Sequence, residues 1–148
     1  MNPQNGYDVE DLSVGMSAGI AKTITEADIL MFSAVSTDTN AVHLDEEYGK
    51  TTMFGGRIAH GMLSASLISA VLGTRLPGPG LIYISQSLRF KAPVRIGDTV
   101  HATVTVKEVI AEKSRVVLDT VCTVGGKPVI EGEAMVMATS RARREAAK

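Results

Sequence analysis

Tryptophan is absent and cysteine occurs once, at Cys122, in a chain of 148 residues. A lone thiol excludes an internal disulfide framework and a multi-cysteine zinc site. Cys122 falls in the alternating series Val116, Leu118, Thr120, Cys122, Val124, where a small buried filler is expected. Three Phe and three Tyr are too few for a base-stacking platform. An excess of either charge is missing too. Lys plus Arg number 15 and Asp plus Glu 16, a net charge of -1, so nothing steers nucleic acid or an anionic membrane surface to the chain. The longest uncharged run, 58–74, contains His60 and Gly73 and falls short of a membrane span. No charged-then-apolar leader opens the sequence, which begins MNPQNGYDVEDL, and the expected location is the cytoplasm.

What is present is an ordinary globular composition, 45% hydrophobic and 21% charged, at the length of one domain. The chain is read as a single domain, 1–148, with residues 1–12 a loosely held lead-in and a basic tail, from about 141, expected to fray. Ser17 to Ile24 suits a strand. Thr25 suits a helix N-cap, and Ala27, Leu30, Met31 and Ala34 recur at helical spacing as far as about Ser36. Thr37-Asp38-Thr39-Asn40 then favours a turn, and Asp45 can cap a short helix to about Lys50. From His60 to Leu72 there is no charge, and small residues lie all round the helix. A helix without a polar face is expected to be buried on all sides, with Gly73 as its stop. Beyond Pro79 the period becomes two, over 81–92, 99–107, 115–124 and 127–139, with Gly125-Gly126 as a hairpin turn. The fold class is α+β: a bent antiparallel sheet wrapped around one long central helix.

The chemistry gathers in 36–69. Asp38 and His43 are five apart, which on a regular helix would separate them, but a turn through Asn40 can bring them together. Ordinary roles compete: Asp38 as an Asx turn, His43 as a partly buried histidine. The next segment supplies an electrophilic element. Gly61 has no side chain, so its N–H can approach a carbonyl at the positive end of the buried helix. Carboxylate, imidazole and helix terminus together can hold a water and stabilise an enolate. His60 is expected to occupy the turn into the helix, and His101 the polar face of its strand. A metal site from His43, Asp45 and His60 has no recognised ligand spacing. Ser64, Ser66 and Ser69 lack a GxSxG elbow, and Gln86, alone on an apolar strand face, needs a buried partner.

Three segments resemble a known family: Asp38-Thr-Asn40-Ala-Val-His43-Leu-Asp45, then Gly56-Arg57-Ile-Ala-His60-Gly61-Met62-Leu63, then Tyr83-Ile-Ser-Gln86-Ser-Leu-Arg-Phe90-Lys-Ala-Pro93-Val94. They are similar to the MaoC-like (R)-specific enoyl-CoA hydratases, in their short single-domain form associated with polyhydroxyalkanoate synthesis, over about 26–136. The resemblance implies a hot-dog fold, a homodimer with an acyl-CoA tunnel near the subunit interface, and hydration of trans-2-enoyl-CoA. It implies Asp38 and His43 as the catalytic pair, Asn40 in support, Gly61 as oxyanion donor and Ser69 supporting the site from the helix. No metal or redox cofactor is implied. Thr37 and Ala41 stand where the family often has Gly and Pro, which alters the turn but removes no reacting group. Dehydration on an acyl carrier protein, thioester hydrolysis, and a non-catalytic acyl-CoA-binding subunit are the alternatives.

Overall fold

The computed structural model describes residues 6–148. In order the elements are β1 (Ser17–Thr23), α1 (Glu26–Ser36), α2 (Ala41–Leu44), α3 (Glu46–Lys50), α4 (Gly61–Thr74), β2 (Ile82–Phe90), β3 (Thr99–Ile110), β4 (Arg115–Val124), β5 (Lys127–Met137) and α5 (Arg141–Ala146). The five strands form one antiparallel sheet in the order β1-β3-β4-β5-β2. The β4–β5 hairpin turns on Gly125 and Gly126, at φ 57 and 78, the left-handed geometry that a two-residue primed turn demands.

Alternation decides which side of the sheet is covered. Val100, Ala102, Val104 and Val106 of β3, with Val116, Leu118 and Cys122 of β4 and Ala134 and Val136 of β5, are buried. Against them α4 lays Leu63, Leu67, Ile68, Val71 and Leu72, all within one core cluster. Replacing Ile68 or Leu72 by Ala would remove buried methylenes at about 2–5 kcal/mol. Cys122 is the filler its alternation implies: it is wholly buried, and burial pushes its thiol up to about 11. The expectation of an all-round buried α4 is corrected. Gly61, Met62, Ser66, Ser69 and Thr74 are exposed along one stripe, because a single sheet covers one side of a helix. Gly73 does not stop the helix either. It runs through Thr74, and Gly78, at φ 93, donates its N–H to the Leu72 carbonyl at 2.8 Å.

The expected loose lead-in and frayed tail also need correction. Residues 1–5 lie outside the described part, but from Gly6 onward the lead-in is tied down. Gly6 and Tyr7 donate N–H to the carbonyls of Pro79 and Pro77, Val9 donates to that of Thr139, and Val9 and Leu12 are buried. The tail folds back as α5 onto these residues. Arg144 grips the Asp8 carboxylate at 2.7 and 2.8 Å, and the Ser140 hydroxyl donates to Glu10 at 2.7 Å. Composition hid this, since acids at 8–11 and bases at 141–144 neutralise each other only in three dimensions. The Arg144 guanidinium holds Asp8 at about 2, below its ordinary 3.8. The Ser140 hydroxyl, with two backbone N–H groups, holds Glu10 at about 2, below 4.5.

Deleting 141–148 leaves the Asp8 carboxylate, 7% exposed in the intact chain, with the Thr139 hydroxyl but no guanidinium. The expected cost is about 1–3 kcal/mol, a fall in Tm of roughly 2–4 °C per kcal/mol. Both carboxylates are depressed in the fold, so the clamp contributes fully above their ordinary values and is lost as pH falls toward 2. Thermal melts of the truncated chain between pH 6 and pH 3 should therefore show a shallower acid decline than those of the full chain.

Candidate active site

The site begins where α1 ends. A capping box starts that helix, with the Thr25 hydroxyl accepting the Asp28 N–H and the Asp28 carboxylate accepting the Thr25 N–H. Thr37 stops it in the left-handed region, φ 64. The Asn40 N–H then donates to Asp38 Oδ1 at 3.2 Å, and the Val42 N–H to Asn40 Oδ1 at 3.2 Å. The first bond is the Asx turn and the second caps α2, so the ordinary role foreseen for Asp38 is realised alongside the reactive one. The turn engages Oδ1 and leaves Oδ2 of an exposed carboxylate outside it.

His43, on α2, is 8% exposed. Its Nδ1–H donates to the Ile58 carbonyl at 2.8 Å, which leaves Nε2 bare in the uncharged ring. Arg57 fixes the same residue from behind: its Nε donates to the His43 carbonyl at 2.7 Å, and its Nη1 and Nη2 make a bidentate pair with Glu26 at 2.7 and 2.9 Å. The His60 ring stacks on that of His43, centroids 3.8 Å apart and 27° between planes. One ring nitrogen from each histidine and one Asp38 carboxylate oxygen lie within 4.8 Å of one another. Two groups each about 2.8 Å from a common water oxygen fit that spacing. Burial pushes the His43 pKa below its ordinary 6.5, and His60 adds to the push, against the opposing Ile58 carbonyl and Asp38 charge.

Gly61 is the first residue of α4, where backbone N–H groups have no partner within the helix. A Cβ there would lie 2.6 Å from the Phe90 ring. Asp38, His60, Gly61, Ser64 and Phe90 share a cleft of about 550 Å³ with apolar walls from Ile58, Ala59, Val94 and Ile130. The structure thus brings Asp38 beside His43 and His60, and Asp38 and His60 line the cleft with Gly61, whereas His43 stands behind His60 and is not a cleft wall; Asn40 shapes the turn. The structure does not bring Ser69, which lies on the exposed stripe of α4 two turns beyond Gly61 and outside the cleft walls. The His43, Asp45 and His60 trio does not form, because Asp45 Oδ1 caps α3 through the Tyr48 N–H; Asp38 stands in its place beside the two rings. Gln86 finds a structural partner, donating to the Thr120 hydroxyl at 2.9 Å.

Two residues were undervalued. His60, assigned to the turn, makes no side-chain cap and instead points Nε2 at Asp38 and Ser33. Arg57, to which spacing assigns no role, is spent on His43 and Glu26. A signal for the first was legible: Ser33 lies four residues after Ile29, on the buried stripe of α1, and a serine there needs a partner.

Residues 14–131 match the MaoC like domain family. The chain belongs to the MaoC-like domain family. It is 64% identical over 132 residues to the (R)-specific enoyl-CoA hydratase of Rhodospirillum rubrum, covering 89% of this chain and 92% of that one. It is 52% identical over 127 residues to a 3-hydroxybutyryl-CoA dehydratase of Methylorubrum extorquens, covering 86% and 81%. The unliganded R-hydratase of Pseudomonas aeruginosa superposes with a TM-score of 0.87 at 46% identity, covering 93% of this chain and 88% of that one. This MaoC-like chain has the hot-dog fold, five antiparallel strands with a helix packed against them.

The depressed His43 sets a pH dependence. An unfolded chain takes up a proton near 6.5, whereas the folded one resists until a lower pH, so stability is complete above 6.5 and declines below it. Urea midpoints at pH 7.5 and 5.5 should fall more in the wild type than in His43→Gln.

Proposed function

We propose that the protein is an (R)-specific enoyl-CoA hydratase, adding water reversibly across the double bond of a trans-2-enoyl-CoA to give an (R)-3-hydroxyacyl-CoA. One observation carries this reading: a carboxylate within 4.8 Å of two imidazoles, lining with one of them a cleft that also holds the N-terminal glycine of a buried-faced helix. The Asp38 carboxylate takes a proton from water as the oxygen bonds to C3. The double-bond electrons move onto the thioester oxygen, where the Gly61 N–H and the positive end of α4 receive the charge. Collapse of that enolate takes up a proton at C2, on the face the water attacked, with His43 orienting the water and taking part in the proton's return. Every proton is handled by water, Asp38 or His43.

The partner proposed is a second copy of this chain. The two edges of the sheet differ in character. β1 presents Ser17, Gly19, Ala21, Lys22 and Thr23, whereas β2 is exposed along its length with Ile82, Tyr83, Ile84 and Phe90. An unpaired strand edge with apolar side chains invites antiparallel pairing, and a two-fold partner supplies the same edge in return. The exposed stripe of α4, with Met62, Ser66 and Ser69, gives that partner a helix to cover, and Ser69 would join the site only through such an assembly. Among the described residues no helix is long and apolar enough to cross a membrane; a single domain spanning the chain and a cytoplasmic location complete the proposal.

Crotonyl-CoA should lose its conjugated absorbance on mixing with the enzyme, giving the (R)-3-hydroxy product on chiral analysis. Asp38→Asn should keep its Tm and lose about a hundredfold to ten-thousandfold in kcat. A fully active Asp38→Asn protein would sink the assignment, free thiol would indicate a thioesterase, and turnover confined to carrier-protein thioesters would indicate a dehydratase of that class. Sedimentation should give twice the chain mass, falling to the single-chain mass in Ile84→Lys.

A further inference from the structure

His60 is buried to 2% exposure and holds the N-cap position of α4 without a side-chain cap bond. Its Nε2 lies 2.9 Å from the carbonyl oxygen of Asp38 and 3.1 Å from the Ser33 hydroxyl. A carbonyl only accepts, so the ring carries a proton on Nε2, shared with Ser33. Nδ1 is buried without a partner among the described residues. One face of the ring lies on His43 at 3.8 Å, and Phe32 of α1 approaches at 4.9 Å. One imidazole therefore touches both members of the pair, the backbone of one and the ring of the other.

We propose that His60 is the positioning residue of this site, fixing Asp38 through an Nε2–H bond to its own carbonyl and setting the tilt of His43 by stacking. The inference rests on the hydratase reading for its kinetic consequence, not for its geometry. The turn 37–40 has no regular secondary structure, and among the described residues its other hydrogen bonds outside the flanking helices are local ones within 36–43. His60 ties it to the helix whose first N–H faces the substrate. A displacement of about 1 Å at a reacting group costs on the order of a hundredfold.

Two substitutions separate the contacts. His60→Phe keeps a ring beneath His43 and removes the donor, whereas His60→Gln places an amide N–H near the position of Nε2 and removes the ring. His60→Phe should lower kcat roughly 10- to 100-fold with KM changed less than about threefold, and His60→Gln should recover most of that loss. The Thr39 amide belongs to the peptide group containing the Asp38 carbonyl, so its NMR shift should move in His60→Phe and stay near wild type in His60→Gln. The His43 ring protons, shielded by the stack, should do the reverse. Wild-type kcat in His60→Phe overturns the proposal, as does an unmoved Thr39 amide, or equal losses in both variants tracking a common fall in Tm. Wild type inert toward enoyl-CoA overturns the hydratase reading instead, and the two NMR signals still decide whether His60 holds the pair.

Discussion

The packing of α4 across the sheet is the constraint on which the rest depends. Leu63, Leu67, Ile68, Val71 and Leu72 drop onto the valine-rich faces of β3 and β4, and no charge interrupts the helix. Each such side chain contributes about 1.5–3 kcal/mol when taken from water. That burial holds the axis of α4 and so decides where its first N–H groups point. The N-terminal end offers backbone N–H groups without partners in the helix, and the cleft lies there.

Around that end, side chains hold backbone carbonyls as well as one another. His60 faces the carbonyl of Asp38, Arg57 that of His43, and His43 that of Ile58. Carbonyls move only with the chain, so these bonds set loop position independently of the side chains that react. This explains why Thr37 and Ala41, departures from the family pattern in the turn, sit in a geometry that still assembles Asp38 beside His43. Thr37 adopts its left-handed conformation at a modest steric cost, and the Asn40 cap on α2 offsets it.

Much of this was legible in the chain. The change of period at about residue 80 separates helix from sheet, Thr25 and Asp45 mark real caps, and Gly125-Gly126 marks a real hairpin. Asp38 and His43 stand together because a turn and a short helix are local events that spacing can report, whereas their meeting with the start of α4 runs through His60, 22 residues from Asp38. What stayed hidden was non-local. Asp8 and Arg144 lie 136 residues apart, Arg57 and Glu26 31 apart, and no periodicity registers a pair at that separation. Burial of α4 was overstated for a related reason: an uncharged helix is consistent with complete enclosure, but only the number of layers says whether one chain supplies it.

Gly61 and Phe90 offer a last point. A methyl group at 61 cannot coexist with the ring where it stands, only 2.6 Å away, and the half-exposed ring would have to swing outward. The two positions are therefore one variable. Enlarging the first alone creates a collision, and trimming the second alone opens a gap beside the helix end that water can fill. Change at either is expected to be non-additive with change at the other, so the pair drifts together or not at all.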